Sequence, residues 1–202
     1  MALVNTSLAA ICDEIRNTML TNIAAPEDNS SNWITIGAPG VNYESSVVKN
    51  ALNLFFYRFE PFSFAADAQP GDVQWIKVFC IITAFGADID SADDSIDNSA
   101  GFNELRMISE VMRLFQENPV MLINTGALGK QWHTQFIPRP LADEQLNQIW
   151  STQGSTVYRP SIIYEIALAP IEPETSTIPA PEVLVADVNV GVDMSKRLSD
   201  DI

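Results

Sequence analysis

The chain of 202 residues carries 26 acidic and 11 basic side chains, which give it a formal net charge of −15. Hydrophobic residues make up 47% of the chain, so it can build a folded core despite that charge. A surface with few cations argues against nucleic acid as the main partner and against adsorption to anionic membranes. The length fits one domain with short additions.

The N-terminal segment and the cysteines indicate where the chain is made. Its first residues have no basic start, and Asp13, Glu14 and Arg16 interrupt their apolar run, so we expect no secretory signal. We also expect no membrane span, since the sequence has no apolar run of about 18 residues. Cys12 and Cys80 lie in apolar surroundings, which favours buried, reduced thiols. These features predict synthesis in the cytoplasm.

Apolar residues at helical spacing predict three helices. The first follows Ser7, a candidate N-cap, and its apolar stripe comprises Leu8, Ile11, Cys12, Ile15 and Met19. The second ends at Asn118 and Pro119, and its stripe comprises Leu105, Ile108, Val111, Met112 and Phe115. The third covers about residues 142–150, with Leu146, Ile149 and Trp150 facing inward.

Strands are predicted at residues 33–36, 51–60, 73–87 and 157–171. Both faces of the segment 51–60 are apolar, so this strand is expected to be central or to use one face for assembly. It is expected to lie beside the strand 73–87 in one sheet. An acidic loop, residues 88–101, leads from that strand to the second helix.

The composition changes after residue 171 and divides the chain into two parts. Residues 1–171 are predicted to form an α/β domain with a mixed or antiparallel sheet flanked by helices. Residues 172–202 are predicted to form a proline-containing linker and a C-terminal arm. A period-two pattern places five apolar residues on one face of a strand in the arm: Leu184, Ala186, Val188, Val190 and Val192.

This arm strand has no obvious place in the preceding domain. A strand after a proline-containing linker is suited to pair with the sheet edge of another subunit. The candidate acceptors are a second copy of the chain or a partner protein. A disordered tail, or a strand folded back on its own domain, is the alternative.

Motifs for catalysis are absent from the sequence. His133 is the only histidine, no nucleophile motif or metal-ligand spacing accompanies it, and a structural or surface role is expected for it. The segment from Gly126 to Lys130 has the wrong glycine spacing for a phosphate loop, which favours a turn. An enzyme that uses a carboxylate pair is the alternative that these residues leave open.

The acidic loop contains the only spacing typical of a metal site. Asp93, Ser95, Asp97 and Glu104 fall at positions 1, 3, 5 and 12 of a calcium loop. The sixth position, which should be glycine, is Asn98, and a strand rather than a helix precedes the loop. These departures favour a solvated loop that caps the second helix over a calcium site.

Four blocks, in this order, resemble the cap or terminator proteins of phage-tail-like contractile injection systems. They are ALNLFFYRFEP, the strand ending CIITAFG, ISEVMRLFQENPVM, and LNQIWSTQGSTVYRPSIIYEIALAPIEP. The residues that carry the motifs are Asn53, Leu54, Phe56, Tyr57, Thr83, Ala84, Asn118, Pro119, Val120, Trp150, Tyr158, Arg159, Pro160, Ser161, Tyr164 and Glu165. The resemblance covers about residues 5–172. The long acidic loop and the short arm depart from the family pattern.

The resemblance implies a terminator-like fold for residues 1–171 and a homohexameric ring. In that family the ring lies at the end of the inner tube and sheath, distal to the baseplate, where it stops polymerisation and holds the last sheath layer. The implied partners are other copies of the chain, the inner tube protein and the sheath protein, within an injection-system particle. The implied role is structural and needs neither catalysis nor a cofactor. An adaptor that binds a peptide edge is the second interpretation.

The last block has its own physical interpretation. Pro160 biases Arg159 to extended geometry and is tolerated at the start of a strand, so the structural reading is a strand start. The other reading assigns Arg159 to a subunit or sheath interface. Tyr158 and Tyr164 are six residues apart and are expected to share one face of a regular strand, at the same candidate interface. Trp150 is expected to pack the third helix onto the sheet.

Overall fold

The computed structural model describes residues 8–26, 33–39, 50–62, 72–89, 98–124, 131–154 and 156–171. In chain order these residues form α1 (Leu8–Asn22), β1 (Ile34–Ile36), β2 (Ala51–Pro61), β3 (Gln74–Phe85), α2 (Ala100–Glu117), β4 (Val120–Asn124), β5 (Gln131–Pro138), α3 (Asp143–Ser151) and β6 (Ser161–Ile171). The predicted helix cap Ser7 and the predicted arm strand lie outside the described residues.

The six strands form one mixed sheet in the order β1-β2-β3-β6-β5-β4. β1 pairs with β2 in parallel, whereas every other neighbouring pair is antiparallel. The prediction of an α/β fold with a mixed sheet is therefore confirmed. The expected pairing of residues 51–60 with residues 73–87 is also confirmed, with Ala51 opposite Phe85.

The core lies on the concave side of the sheet, which curls so that α1 contacts both edge strands, β1 and β4. α1 buries the apolar stripe predicted for it, apart from the half-buried Leu8: Ile11, Cys12, Ile15 and Met19. α2 packs beside α1 against β3, the longest strand. Every second residue of β3 enters this core, as the period of a strand requires: Ile76, Val78, Cys80, Ile82 and Ala84.

The buried face of α2 differs from the predicted stripe. Leu105 and Met112 are 58% and 49% exposed, so their prediction as core residues is wrong. The helix instead buries Asn103, Glu104, Met107, Val111, Leu114 and Phe115. The helix is rotated because Asn103 and Glu104 have hydrogen-bonding partners on neighbouring elements, which offset the cost of burying them.

Other element boundaries also shift. β4 and β5 occupy a region, residues 120–140, in which only short apolar stretches interrupted by glycine and proline had been apparent. The last strand begins at Ser161 rather than at residue 157, directly after Pro160, which has no amide hydrogen for a strand ladder. His133 lies exposed on β5 opposite Leu122.

Candidate functional site

A polar junction joins the end of β3, the start of α2 and the approach to β6. Its centre is Glu104, which is only 5% exposed. The backbone N–H of Gly86 donates a hydrogen bond of 3.1 Å to Glu104 Oε1, and the guanidinium of Arg159 forms an ion pair with the same oxygen. The Arg159 guanidinium also lies 5.9 Å from the centre of the Phe85 ring. Arg159 is therefore engaged within its own chain, while its predicted role at an interface stays a prediction.

Gly86 lies at the closest approach between β3 and α2. A Cβ atom at this position would lie 2.0 Å from the carbonyl oxygen of Ala100, which is far inside van der Waals contact. Two asparagines secure the adjoining backbone: Asn50 Oδ1 accepts from Ala87 N–H at 2.9 Å, and Asn103 Nδ2 donates to Ala87 C=O at 3.0 Å. Glycine is therefore required here so that the helix can begin directly against the end of the strand.

The base of the acidic loop is tied to this junction from both sides. The carboxylate of Asp88 accepts a hydrogen bond of 2.8 Å from Ala100 N–H in the first turn of α2. The amide of Ile89 donates to the carbonyl of Asn98 at 3.1 Å. An acidic side chain is favourable at a helix N-terminus, because the exposed N–H groups carry partial positive charge. These contacts agree with the predicted loop that caps the second helix.

Glu104 of the polar junction is also the last residue of the calcium pattern. Asp93, Ser95 and Asp97 lie outside the described residues, and Glu104, at the last position of the pattern, is bound to Gly86 and Arg159 as described above. In the described ranges, no group of three or more His, Cys, Asp or Glu side chains is arranged to hold a metal ion. The junction thus uses Glu104 as a structural carboxylate.

A second buried carboxylate, Glu165 on β6, lies on the convex face of the sheet and is 3% exposed. It accepts hydrogen bonds of 2.7 Å from Arg139 Nε and Nη2, and its other oxygen lies 3.2 Å from Lys77 Nζ. Burial alone would raise the pKa of Glu165, but the hydrogen bonds from Arg139 and Lys77 outweigh it and hold the pKa below its usual value. Glu165 thereby links β3, β6 and the segment after β5.

A row of polar side chains crosses four strands on the same convex face. Thr35, Asn53, Thr83 and Ser161 occupy matching positions on β1, β2, β3 and β6. Asn53 Nδ2 donates to Thr35 Oγ1 at 3.3 Å, and the hydroxyl groups of Thr83 and Ser161 lie 3.0 Å apart. Ser161 Oγ also donates to the carbonyl of Arg159 at 2.9 Å. The row fixes the strand register, because a slip of one residue would bury these groups without partners.

The two tyrosines expected to share a face are separated. Tyr164 is buried in the core, where its ring packs edge-on against Phe115 at 4.7 Å. Tyr158 precedes β6, is 55% exposed and packs edge-on against Trp150 of α3 at 5.3 Å. The prediction of a common face is wrong, because residue 158 does not belong to the strand. Trp150 is buried as expected, but its ring contact is with Tyr158, outside the sheet, so its predicted packing onto the sheet stays a prediction.

An apolar groove lies between the start of α1 and the edge of the sheet formed by β1 and β2. Its volume is about 700 Å³, and the residues that line it include Leu8, Cys12, Asp13, Ile36, Phe56 and Phe59. Phe56 and Phe59 both reach the groove because a bulge between residues 56 and 58 shifts the register of β2. Burial raises the pKa of Cys12 to about 12, so this thiol is unreactive near neutral pH.

The remaining motif residues have structural positions. Leu54 is fully buried in the core, and Tyr57 is half-buried beside Phe79 on the convex face. Asn118 ends α2, with its side chain donating to the carbonyl of Leu114 at 3.2 Å, and Pro119 follows it.

Cys12 and Cys80 are buried, free thiols, as predicted. The five apolar residues of the arm strand lie outside the described residues.

Sequence reasoning did not identify Gly86, Asn50, Lys77 or Arg139 as partners in these networks. The polar row could have been recognised in the sequence, because Asn53 and Thr83 are polar residues within strands that are otherwise apolar and were not expected to lie at an exposed edge.

None of the described helices is long and apolar enough to cross a membrane.

The curled mixed sheet with α1 on its concave side is similar to the fold of a solved sheath/tube terminator. The structure is similar to a cryo-EM structure of the PVC sheath/tube terminator of an extracellular contractile injection system in its extended state. The TM-score is 0.55 at 16% sequence identity, and the similarity covers 89% of this chain and 61% of that chain. This chain thus spans less than two thirds of the length of the terminator that it matches.

The sequence provides the closer assignment. A family model of the Pvc16 N-terminal domain matches residues 7–184, so the chain belongs to the Pvc16 N-terminal domain family. The match includes every described residue and continues beyond β6 into the predicted linker and arm. No match was found among the sequences of curated proteins.

Proposed function

We propose that this protein is the cap of a contractile injection system and ends its inner tube and sheath at the end distal to the baseplate. The observation that carries the proposal is membership of the Pvc16 N-terminal domain family over residues 7–184, together with a terminator-like fold. In this role the protein forms a homohexameric ring, anchors the last sheath layer and contacts the inner tube protein. It acts without catalysis, cofactor, nucleic acid or membrane.

The features of the described residues agree with a structural role. Buried carboxylates in the polar junction and on the convex face connect elements that are far apart in sequence, such as Glu104 with Arg159 and Glu165 with Lys77. Such networks stabilise one arrangement of the sheet and helices, as a rigid ring subunit requires. The groove, and the edge of β2 that has no described strand beside it, supply places for protein partners.

Imaging of assembly tests this function directly. Tube, sheath and baseplate components are produced with and without this chain, and the particles are measured by negative-stain electron microscopy. We expect tubes of uniform length with a density at the distal end when the chain is present, and tubes of uncontrolled length or unstable sheaths when it is absent. Unchanged tube lengths and intact sheaths without the chain would contradict the function.

The oligomeric state is tested separately by mass photometry. The cap is expected to have a mass six times that of the 22.2-kDa chain, alone or after mixing with tubes. A strict monomer under both conditions contradicts the ring. High salt is expected to favour the ring, because it screens the repulsion between copies that each carry a formal charge of −15.

Residues 172–202 are proposed to be a separate linker and an arm that pairs with a neighbouring cap subunit or with the terminal sheath layer, so that sheath attachment depends on it. Deleting residues 173–202 is expected to leave the secondary structure measured by circular dichroism intact in the remaining domain, while it reduces the number of sheaths attached to capped tubes. Truncated protein that anchors extended sheaths as well as the full chain does would exclude a role of the arm in attachment.

A further inference from the structure

The apolar groove borders an open stretch of strand edge. In the described ranges, β1 pairs only with residues 52–54 of β2, while β2 itself continues to Pro61. The backbone of Leu52 and Leu54 is bonded to the β1 segment at 2.8 and 3.0 Å, and the same edge continues toward Phe56 with no described strand beside it. An open edge with an apolar groove under its side chains is the arrangement that binds an added strand.

The chain contains a segment with the matching pattern. Residues 184–192 alternate five apolar side chains with a second set that comprises Val185, Asp187, Asn189 and Gly191. An added strand would direct one set toward the groove and the other toward the convex face, where the exposed Arg58 side chain of β2 is paired with Glu60. Apolar residues thus meet the groove, and the set with Asp187 and Asn189 faces a polar, exposed part of the sheet.

The length and stiffness of the linker indicate which copy supplies the strand. β6 ends at Ile171, and three strand spacings, about 14 Å, separate β6 from a strand added at the open edge of β2 in its own domain. Residues 172–183 contain Pro173, Pro179 and Pro181, and an extended segment of this length spans about 37 Å at 3.1 Å per residue. That span is close to the diameter of about 40 Å expected for a compact domain of this size. An extended linker therefore suits a neighbouring domain better than its own.

We propose that residues 184–192 of one copy add as a strand to the open edge of β2 in the next copy, with their apolar face in its groove. The inference rests on the ring proposed above and names the contact that holds it together. The arm and the groove are different surfaces of the same chain, so the contact is head-to-tail, and repetition of such a contact closes a ring when the rotation between neighbouring copies is a whole fraction of a turn. In the closed ring each groove is filled by a neighbour and each arm is used.

Cross-linking between two differently tagged full-length copies tests the contact. One copy carries Phe59→Cys in the groove, and the other carries cysteine in place of Ala186, Val188 or Val190, one at a time, so that the register need not be known. The control acceptor is Ser109→Cys, which is exposed on α2 and lies outside the groove. The native thiols Cys12 and Cys80 are buried and stay in place; because Cys12 also lines the groove, each arm variant is mixed with the native protein as well, to show any cross-link to Cys12.

We expect at least one arm position to form a disulfide between differently tagged copies in at least tenfold higher yield than the Ser109→Cys control. Two results overturn the inference: no arm position exceeds the control, or a chain with both cysteines forms only an internal disulfide. Tube imaging separates this failure from that of the proposed function. Normal capping with no cross-link above the control overturns the strand contact alone, whereas tubes that are insensitive to the chain overturn the capping function.

A pair of aspartate variants provides a second measurement in the native cysteine background. Phe59→Asp places a charge in the groove, and Phe62→Asp places the same charge on a side chain that is similarly exposed, 47% against 44%, but lies outside the groove. We expect Phe59→Asp to raise the concentration at which the ring dissociates at least tenfold and Phe62→Asp to leave it within twofold. Equal effects of the two substitutions overturn the inference.

Discussion

Replacement of Gly86 by alanine tests whether the polar junction holds α2 against the sheet. The added Cβ would lie 2.0 Å from the carbonyl oxygen of Ala100 and 2.8 Å from Cγ of Glu104. The first of these atoms is backbone, so no side-chain rotation relieves the clash and the start of the helix must move. The movement lengthens the hydrogen bond from Gly86 N–H to Glu104, which is 3.1 Å in the native protein.

Two contributions determine how far Gly86→Ala lowers the free energy of unfolding. Overpacking of a tight contact costs about 1–3 kcal/mol, and a hydrogen bond to a charged acceptor contributes about 1.5–3 kcal/mol. The free energy of unfolding is therefore expected to fall by about 3 kcal/mol, since the helix shift relieves part of each term. For a domain of this size, a loss of that magnitude lowers the melting temperature by about 6–12 °C.

Thermal and urea unfolding, followed by circular dichroism at one protein concentration, measure this change. Gly101→Ala is the matched control, because a Cβ at Gly101 meets no atom within 4 Å and alanine favours the helix that begins at Ala100. The control is expected to keep or raise the melting temperature. The reasoning is refuted if Gly86→Ala has the same melting temperature as the native protein, or if Gly86→Ala and Gly101→Ala lower the melting temperature equally.

Three further predictions concern the buried charges and thiols. Glu165→Gln is expected to lower the free energy of unfolding by about 1–3 kcal/mol at pH 7. The folded-state pKa of Glu165 is lowered, so its carboxylate stabilises the native protein at neutral pH and this stabilisation is lost on acidification. The difference in unfolding free energy between the native protein and Glu165→Gln should therefore shrink below about pH 4.3. A difference that stays constant from pH 7 to pH 3 would contradict this prediction. A double-mutant cycle with Glu104→Gln and Arg159→Ala should give a coupling energy of about 1 kcal/mol, reduced by the partial exposure of the arginine, and a coupling of zero would exclude a stabilising pair. Because burial raises the pKa of Cys12 and of Cys80, a maleimide should label native protein at pH 7 at least tenfold more slowly than urea-unfolded protein, and equal rates would show that the thiols are accessible.

The strands rich in apolar residues could be predicted from the sequence. β2 and β3 match their predicted ranges within two residues, because long runs of branched and aromatic side chains are bounded by proline and glycine. β5 was not predicted, because one of its inward positions is Thr134, a fully buried polar residue that breaks the apolar alternation. A buried threonine is indistinguishable from an exposed one in a sequence pattern.

The site could be predicted less well because its contacts join distant segments. Glu104 was read as a calcium ligand candidate from local spacing, yet its partners are Gly86 and Arg159, which lie 18 and 55 residues away. Leu105 was assigned to the core because a helical stripe counts only apolar residues. The burial of Glu104 goes with exposure of Leu105 and Met112, while Val111 and Phe115 of the same stripe stay buried, and only the tertiary structure contains this information.

The ion pairs also determine which basic side chains remain available to bind a partner. Six basic side chains of the described segments are matched with carboxylates of the same chain: Arg16, Arg58, Lys77, Arg113, Arg139 and Arg159. In these described segments an acidic neighbour therefore meets few cations that are not already bound, and copies with a net charge of −15 repel one another. Random encounters between copies, or with other acidic proteins, are discouraged by charge. In the strand contact proposed above, the apolar surface that is buried must overcome that repulsion, so the same acidity that keeps single copies apart would also select what they join.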